Sequence, residues 1–188
     1  MSTKTHSESR MKNDKSLEFD NMKTYVITLS QVFPTTHPKA GIPTGFQHKL
    51  QTALNGWKDH AFTKLHTIRA NYPLWAKRFE QIERGEACLS IRQWSGKPYA
   101  SRQVEIARLT KEDGIGLQEL TFYKDYRFVP AKYRLENYEI NGRWCEGDLT
   151  MLAENDGLTL ADWKAWFSNP SYDLSKPMAI IHFTNFRY

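Results

Sequence analysis

The chain has 188 residues, of which 40% are hydrophobic and 25% charged, and its formal net charge is +5. This length and composition fit one globular domain that buries a sizeable core. No apolar run approaches the roughly 20 residues of a membrane helix, and the N-terminus lacks an apolar signal-peptide segment, so we expect a cytoplasmic protein. Cys88 and Cys145 are too far apart in sequence for a metal-ligand motif, so we expect reduced thiols, no metal and no cofactor.

The two halves of the chain differ in charge. Lys and Arg outnumber Asp and Glu over residues 22–111, whereas acidic residues are in excess over residues 112–188. A basic half attracts an anionic ligand such as a nucleotide phosphate or an RNA backbone. An ordinary solvated surface on a mildly basic protein explains the same distribution.

The first 21 residues are rich in Ser, Lys, Asp and Asn, which predicts a disordered tail. A single domain is expected over residues 22–188, with inserts near 33–60 and 119–150. Its first strand is predicted over Thr24–Leu29, where the residues are β-prone.

The insert near 33–60 begins with Pro and Gly residues, which predict a long irregular loop able to cover a neighbouring pocket. His37 lies in this loop and is expected to be exposed rather than catalytic. Apolar residues at helical spacing then predict a helix over Phe46–Leu54.

The segment Lys64–Arg69 combines an amine, a hydroxyl and a guanidinium on one short, β-prone run. Alternation along a strand places Thr67 and Arg69 on one face. Lys64 lies at the entrance of the strand, and its flexible stem can fold towards Thr67 to form a pair able to activate a hydroxyl. The alternative is a surface strand end with solvated cations.

A helix and a hairpin follow this strand. Helical spacing of apolar residues predicts a helix over Pro73–Ile82, which Gly85 ends. Period-two alternation on both sides of a Ser-Gly-Lys-Pro turn predicts a β-hairpin of Ala87–Trp94 and Arg102–Leu109.

The polar face of this hairpin presents Arg92 among the aromatic residues Trp94 and Tyr99. A guanidinium beside aromatic rings is a surface that binds stacked bases and phosphates. A solvated strand face explains any single Arg equally well.

The insert near 119–150 contains two β-prone runs, Glu119–Tyr123 and Arg134–Ile140, and then Asn141-Gly142, which predicts a tight hairpin turn. Aromatic and cationic residues interleave over Tyr123–Phe128. Packing of the added hairpin onto the domain is the favoured role of these aromatics, and recognition of a larger partner is the alternative.

The C-terminal part predicts a helix over Leu160–Phe167 and a final strand over Met178–Phe186. Glu154 and Asp156 precede that helix, where structural capping is the alternative to a catalytic role. His182 in the last strand is expected to be a satisfied core or edge histidine.

Three features follow one another along the chain: the run Lys-x-x-Thr-Ile-Arg at 64–69, the helix and two strands after it, and an acidic-Gly-helix-strand ending from Ala153. Together they resemble the ASCH domain over roughly residues 22–188. The resemblance implies a mixed α/β fold: a PUA-like, partly open β-barrel of five to seven strands with two or three flanking helices. The predicted elements agree with this architecture. ASCH domains are associated with RNA, and small bacterial members that resemble this chain hydrolyse the acetyl amide of N4-acetylcytidine.

The resemblance therefore implies amide hydrolysis of N4-acetylcytidine or a similar N-acyl nucleoside. Thr67 would be the nucleophile and Lys64 its base, provided that burial and Arg69 lower the pKa of this lysine. Asp156 stands where the hydrolases have Glu, and either it or Glu154 would manage the leaving amine. The residues expected to bind the substrate are Arg69, Arg92, Trp94 and Tyr99.

Two other functions use the same residue types. A non-catalytic RNA-binding module would grip a phosphate or base with Lys64, Thr67 and Arg69. A metal-independent ribonuclease is the third possibility, because cations beside a carboxylate stabilise a phosphoryl transition state. The sequence alone leaves all three open.

Overall fold

The computed structural model describes residues 22–56, 63–127, 130, 132–146, 149–169 and 172–188, so the predicted disordered tail lies outside the described residues. Eight strands and four α-helices are present in the described part of the chain. The strands are β1 (Lys23–Thr28), β2 (His66–Ala70), β3 (Ala87–Trp94), β4 (Gln103–Leu109), β5 (Gly116–Asp125), β6 (Lys132–Ile140), β7 (Arg143–Glu146) and β8 (Met178–His182). The helices are α1 (Phe46–Leu54), α2 (Tyr72–Glu83), α3 (Thr150–Asn155) and α4 (Leu160–Phe167).

The first sheet has three strands in the order β1-β3-β4. β1 and β3 are parallel, with Thr28 opposite Arg92 at one end of the ladder. Their connection contains α1, β2 and α2, because parallel neighbours need a long crossover. β3 and β4 form the predicted antiparallel hairpin.

The second sheet has five antiparallel strands in the order β2-β8-β5-β6-β7. β8 is an interior strand between β2 and β5, and all five of its residues are buried, as their largely apolar sequence predicts. The β6–β7 turn confirms the Asn-Gly prediction, since Asn141 and Gly142 have φ angles of 50° and 74° and both positions of this turn type need positive φ.

The two sheets and the helices share one hydrophobic core. α2 begins at Asn71, whose side chain accepts a hydrogen bond from the Leu74 amide, and it buries Trp75, Phe79 and Ile82. The fold is thus mixed α/β with two open sheets, an arrangement that agrees with a partly open, barrel-like architecture. The structure has one strand and one helix more than the upper limits that were expected. The additional helix is α3, whose six residues are too few to give a helical period in the sequence.

No helix among the described residues is long and apolar enough to cross a bilayer. Within those same residues, no cluster of three or more His, Cys, Asp or Glu side chains is arranged to hold a metal ion.

Candidate functional site

A buried ion pair joins Lys64 to Asp156. The Lys64 ammonium donates to the Oδ1 atom and to the carbonyl oxygen of Asp156, each at 2.5 Å. Lys64 is 1% exposed and Asp156 is 5% exposed, so water screens the pair very little. A buried lysine is rare unless it is paired, and this pairing satisfies two of its three donors.

The turn after α3 brings Asp156 to this position. The Gly157 amide donates to Glu154 O at 2.8 Å and the Leu158 amide donates to Ala153 O at 3.0 Å, which is the Schellman pattern of helix ends. Gly157 has a φ of 79°, and a Cβ added to it would lie 3.2 Å from Lys64 Cβ. Glycine is therefore required both by the backbone conformation and by the close approach of the lysine stem.

Helices α1 and α3 hold the chain at Lys64 from two sides. The Lys64 amide donates to Lys49 O at 3.1 Å, and the Leu65 amide donates to Asn155 O at 2.8 Å. The Lys49 ammonium donates to Gly157 O at 2.6 Å. These bonds fix the entrance of β2 against the Asp156 turn, and the Phe183 amide, which donates to Leu65 O at 2.8 Å, holds it to the chain after β8.

Phe46, the first residue of α1, covers the ion pair. Its ring centroid lies 4.1 Å from Lys64 Nζ, a cation–π distance, and Phe46 is itself buried. A surface cavity of about 540 Å³, lined by Phe46, Val32, Gln93 and neighbouring residues, lies on the outer side of this helix start. The sequence predicted a pocket beside the Lys64 strand that the 33–60 loop could cover, whereas here the lysine is buried behind Phe46.

Burial lowers the pKa of Lys64 to about 8, with smaller contributions from the nearby Arg69 and Lys49, while the Asp156 carboxylate opposes this change. Burial also raises the pKa of Asp156, against the effect of the two cations Lys64 and Arg69. Both shifts favour the neutral forms. A lysine that loses its proton near pH 8 is suited to general-base chemistry, which an ordinary lysine is not.

Thr67 and Arg69 lie on one face of β2, as the alternation predicts. Thr67 is buried, and no hydrogen bond joins its hydroxyl to Lys64 or Asp156 among the described residues. The Arg69 guanidinium donates to Thr28 O at 2.8 Å, so it ties the second sheet to the first. Arg69 is also close enough to Asp156 to lower the pKa of its carboxyl group, against the effect of burial.

Of the two predicted carboxylates, Asp156 is the one in contact with Lys64. Glu154 is a partly buried residue of α3, two positions earlier. The capping turn decides between them, because it directs the main chain and side chain of Asp156 towards β2.

The remaining predicted binding residues lie on β3 and in the turn between β3 and β4. Arg92 donates to Ser90 Oγ at 2.8 Å and lies 3.9 Å from a Glu105 oxygen. The rings of Trp94 and Tyr99 are 5.3 Å apart and border a cavity of about 310 Å³. Tyr99 is 92% exposed and has a φ of 62°, which is uncommon for a bulky residue.

The Trp94–Tyr99 cavity and the cavity outside Phe46 are neighbours, because Gln31 and Val32 line both. The structure therefore separates the predicted site into two parts. Lys64, Asp156, Thr67 and Arg69 form a buried part at β2, and Trp94 and Tyr99 form an exposed aromatic part.

His37 is buried, contrary to the expectation of an exposed loop residue. Its Nδ1 accepts from the Lys39 amide at 3.0 Å, so Nε2 carries the proton that is donated to Asp162 O at 3.1 Å. The ring stacks on Phe33 with centroids 4.4 Å apart. These contacts attach the 33–45 loop to α4, and this loop leads directly into Phe46.

Phe46 and Lys49 are site residues that sequence reasoning missed, and Gly157 was identified only as part of the acidic-Gly-helix-strand ending, without a role at the site. Phe46 was assigned only to the apolar stripe of its helix, and Lys49 was not distinguished from solvated lysines. The glycine after two acidic residues was the one available signal, since glycine commonly ends a helix in the left-handed conformation.

Comparisons of this chain with protein-family models, with curated proteins and with solved structures found no match.

Proposed function

We propose that this protein is an ASCH-type amidohydrolase with a PUA-like barrel, which removes the acyl group from N4-acetylcytidine or a similar N-acyl nucleoside. The observation that carries the proposal is the buried Lys64–Asp156 contact, in which the pKa of the lysine is lowered to about 8. A lysine whose pKa lies near neutral pH, beside a carboxyl group that can take up and return a proton, is what acyl transfer to and from a hydroxyl needs. We propose in addition that the protein is cytoplasmic.

In the proposed reaction, Lys64 first transfers a proton to the Asp156 carboxylate, and its neutral amine then accepts the Thr67 proton as Oγ1 attacks the acyl carbon. The carbonyl oxygen becomes an oxyanion, which Arg69, the cation on the same face of β2, would stabilise. The C–N bond then breaks, and the proton taken up by the catalytic pair passes to the leaving amine. Water attacks the resulting Thr67 ester, releases the carboxylic acid and restores the hydroxyl.

Displacement of Phe46 is a necessary step of this proposal. The ring covers Lys64 Nζ, while the adjoining cavity of about 540 Å³ is of the size that small-molecule ligands occupy. Movement of Phe46 would join this cavity to the ion pair. Closure of the ring over bound substrate would then exclude water from the reacting groups.

The test is incubation of purified protein with N4-acetylcytidine, followed by chromatographic measurement of cytidine and acetate. We expect both products in equal amounts, and a Lys64→Met variant should form neither. A mixed RNA pool incubated in parallel should remain uncleaved. Absence of cytidine release, or cleavage of the RNA, would overturn the hydrolase proposal, the latter in favour of a ribonuclease.

A non-catalytic RNA-binding module is the second candidate, and the exposed Trp94–Tyr99 pair favours it. Aromatic rings that stack on bases contribute about 1–3 kcal/mol per base. Under this alternative, Tyr99→Ala weakens the binding of a labelled single-stranded RNA at least fivefold. Tyr126→Ala is the matched control, since Tyr126 is also strongly exposed but lies beside β5.

A further inference from the structure

Two histidines face each other in the second sheet. His66 of β2 and His182 of β8 are direct partners in the antiparallel ladder, and their ring centroids are 5.6 Å apart. Both residues are 0% exposed. They lie on the opposite face of β2 from Thr67, so they are not part of the proposed reaction.

Three ring nitrogens of this pair, His66 Nδ1 and both nitrogens of His182, have no hydrogen-bond partner among the described residues. Leaving a buried donor or acceptor unpaired costs about 1–3 kcal/mol, and buried polar atoms are nearly always paired. His182 is the core histidine that the sequence predicts, but neither of its ring nitrogens has the expected hydrogen-bond partner among the described residues. Apolar side chains would fill the same space at lower cost, so packing alone does not account for two histidines.

The chain after β8 covers the pair, and we call residues 183–188 the C-terminal strap. Within the strap, the Tyr188 hydroxyl lies 2.8 Å from His66 Nε2 and accepts from the Asn155 side chain at 3.0 Å. The rings of Phe186 and Tyr188 both lie 5.9 Å from that of His182. The Tyr188 amide donates to Gln118 at 2.9 Å, which holds the end of the strap on β5.

The charges around the pair oppose its protonation. Burial holds the pKa of His66 well below its usual range, with Lys64 adding to the effect. Burial lowers the pKa of His182 to about 3, and Arg187 of the strap acts in the same direction. Burial raises the pKa of Tyr188, and Asp156 in the turn after α3 and Tyr138 of β6 act in the same direction.

We propose that His66 and His182 form an acid-sensitive latch, which keeps the C-terminal strap closed at neutral pH and releases it when the two histidines gain protons. The closed strap holds two neutral imidazoles. The open strap exposes them to water, where each binds a proton with an ordinary histidine pKa of about 6.5. Opening in acid therefore takes up two protons, and acid favours it by mass action.

Release of the strap acts on the candidate site through Asn155. The Asn155 side chain bonds to Tyr188, while its carbonyl oxygen accepts from the Leu65 amide next to Lys64. Asn155 is followed directly by Asp156. Opening therefore removes one support of the turn that places the Asp156 carboxylate, whether or not the proposed hydrolysis takes place there.

The number of protons taken up on opening determines how strongly the opening constant depends on pH. For two histidines with a pKa of about 6.5 in the open form, the opening constant rises about 100-fold between pH 7.5 and pH 5.5. With one histidine the rise is about tenfold. Hydrogen exchange of the full chain, corrected for the intrinsic rate at each pH, measures this constant at the Tyr188 amide.

We expect a loss of protection of about 100-fold at Tyr188 in the wild type and about tenfold in His182→Phe, whose ring preserves the aromatic packing. The matched control is His48→Phe, because His48 is exposed on α1, and it should behave as the wild type. Amides of β3 report global unfolding and should stay protected at both pH values.

Unchanged protection of Tyr188 in the wild type, or an equal loss in wild type and His182→Phe, would overturn the latch. If His182→Phe does not fold, the wild type still decides the matter by NMR. The imidazole signals of His66 and His182 should then titrate together with the ring signals of Tyr188, and independent titration of these groups contradicts the proposal.

Discussion

Gly157 packs against the stem of Lys64, so closely that an added Cβ would lie 3.2 Å from Lys64 Cβ and 3.4 Å from Lys49 Cδ. The same glycine has a left-handed φ of 79°. Backbone conformation and side-chain crowding thus both disfavour any side chain at Gly157, which lies in the turn that carries Asp156.

Gly157→Ala should destabilise the protein by more than the roughly 1–2 kcal/mol of a left-handed alanine, because the new methyl group also displaces Lys64. Gly41→Ala is the matched control, since Gly41 has a φ of 80° with open space around its Cβ position. Urea unfolding of both variants measures the difference. Equal free energies of unfolding would show that the Lys64 contact adds no cost.

Removal of one member of the buried ion pair should be far more harmful than removal of both. We expect Asp156→Leu to lower the free energy of unfolding by roughly 3–5 kcal/mol, because it leaves a buried ammonium without its carboxylate. The double variant Lys64→Met with Asp156→Leu should recover most of this loss. A double-mutant cycle by chemical denaturation measures the coupling, and additive losses would argue against a direct pair.

The lowered pKa of Lys64 predicts a stability that rises with pH. In the unfolded chain Lys64 titrates at its ordinary value of 10.5, and in the folded protein at about 8. Between these values the unfolded state binds more protons, so the free energy of unfolding increases as pH rises from about 8 to 10.5. Urea unfolding across this range should show a smaller increase in Lys64→Met, and an identical pH dependence would contradict the shifted pKa.

Thr67→Ala should abolish cytidine release from N4-acetylcytidine while leaving the fold intact, because the reaction needs a nucleophile and this hydroxyl bonds to neither Lys64 nor Asp156. Thr63→Ala is the matched control, since Thr63 is fully buried with an unpaired hydroxyl and lies just before Lys64. Chromatographic assay of both variants, with circular dichroism as a folding check, decides the matter. Retained activity in Thr67→Ala would remove Thr67 from the nucleophile role.

Salt distinguishes hydrolysis of a nucleoside from binding of a strand. Acetylcytidine carries no phosphate, so KM should stay nearly constant between low and physiological salt, whereas strand binding changes log K by about −0.7 per phosphate neutralised. Arg92→Ala should leave turnover unchanged, because this arginine already bonds to Ser90 and lies beside Glu105. Tight RNA binding that weakens steeply with salt, without cytidine release, would move the protein to the binding class.

Local patterns in the sequence were sufficient for most of the elements. The helices Phe46–Leu54 and Leu160–Phe167 and the strand Ala87–Trp94 were predicted with the bounds that they have in the structure. The Asn141-Gly142 turn was also correct, because a two-residue turn depends only on its own φ angles. Periodicity and turn chemistry are properties of neighbouring residues, so the sequence contains them directly.

Tertiary packing alone decided the surroundings of the site. The sequence proposed Lys64 and both carboxylates, but the docking of the α3 turn against β2 selected Asp156, and the start of α1 placed Phe46 over the lysine. The buried state of His37 likewise depends on a partner far away in the chain, Asp162 of α4. Burial and pKa are set by which distant elements pack together, and no local pattern of residue types specifies that contact.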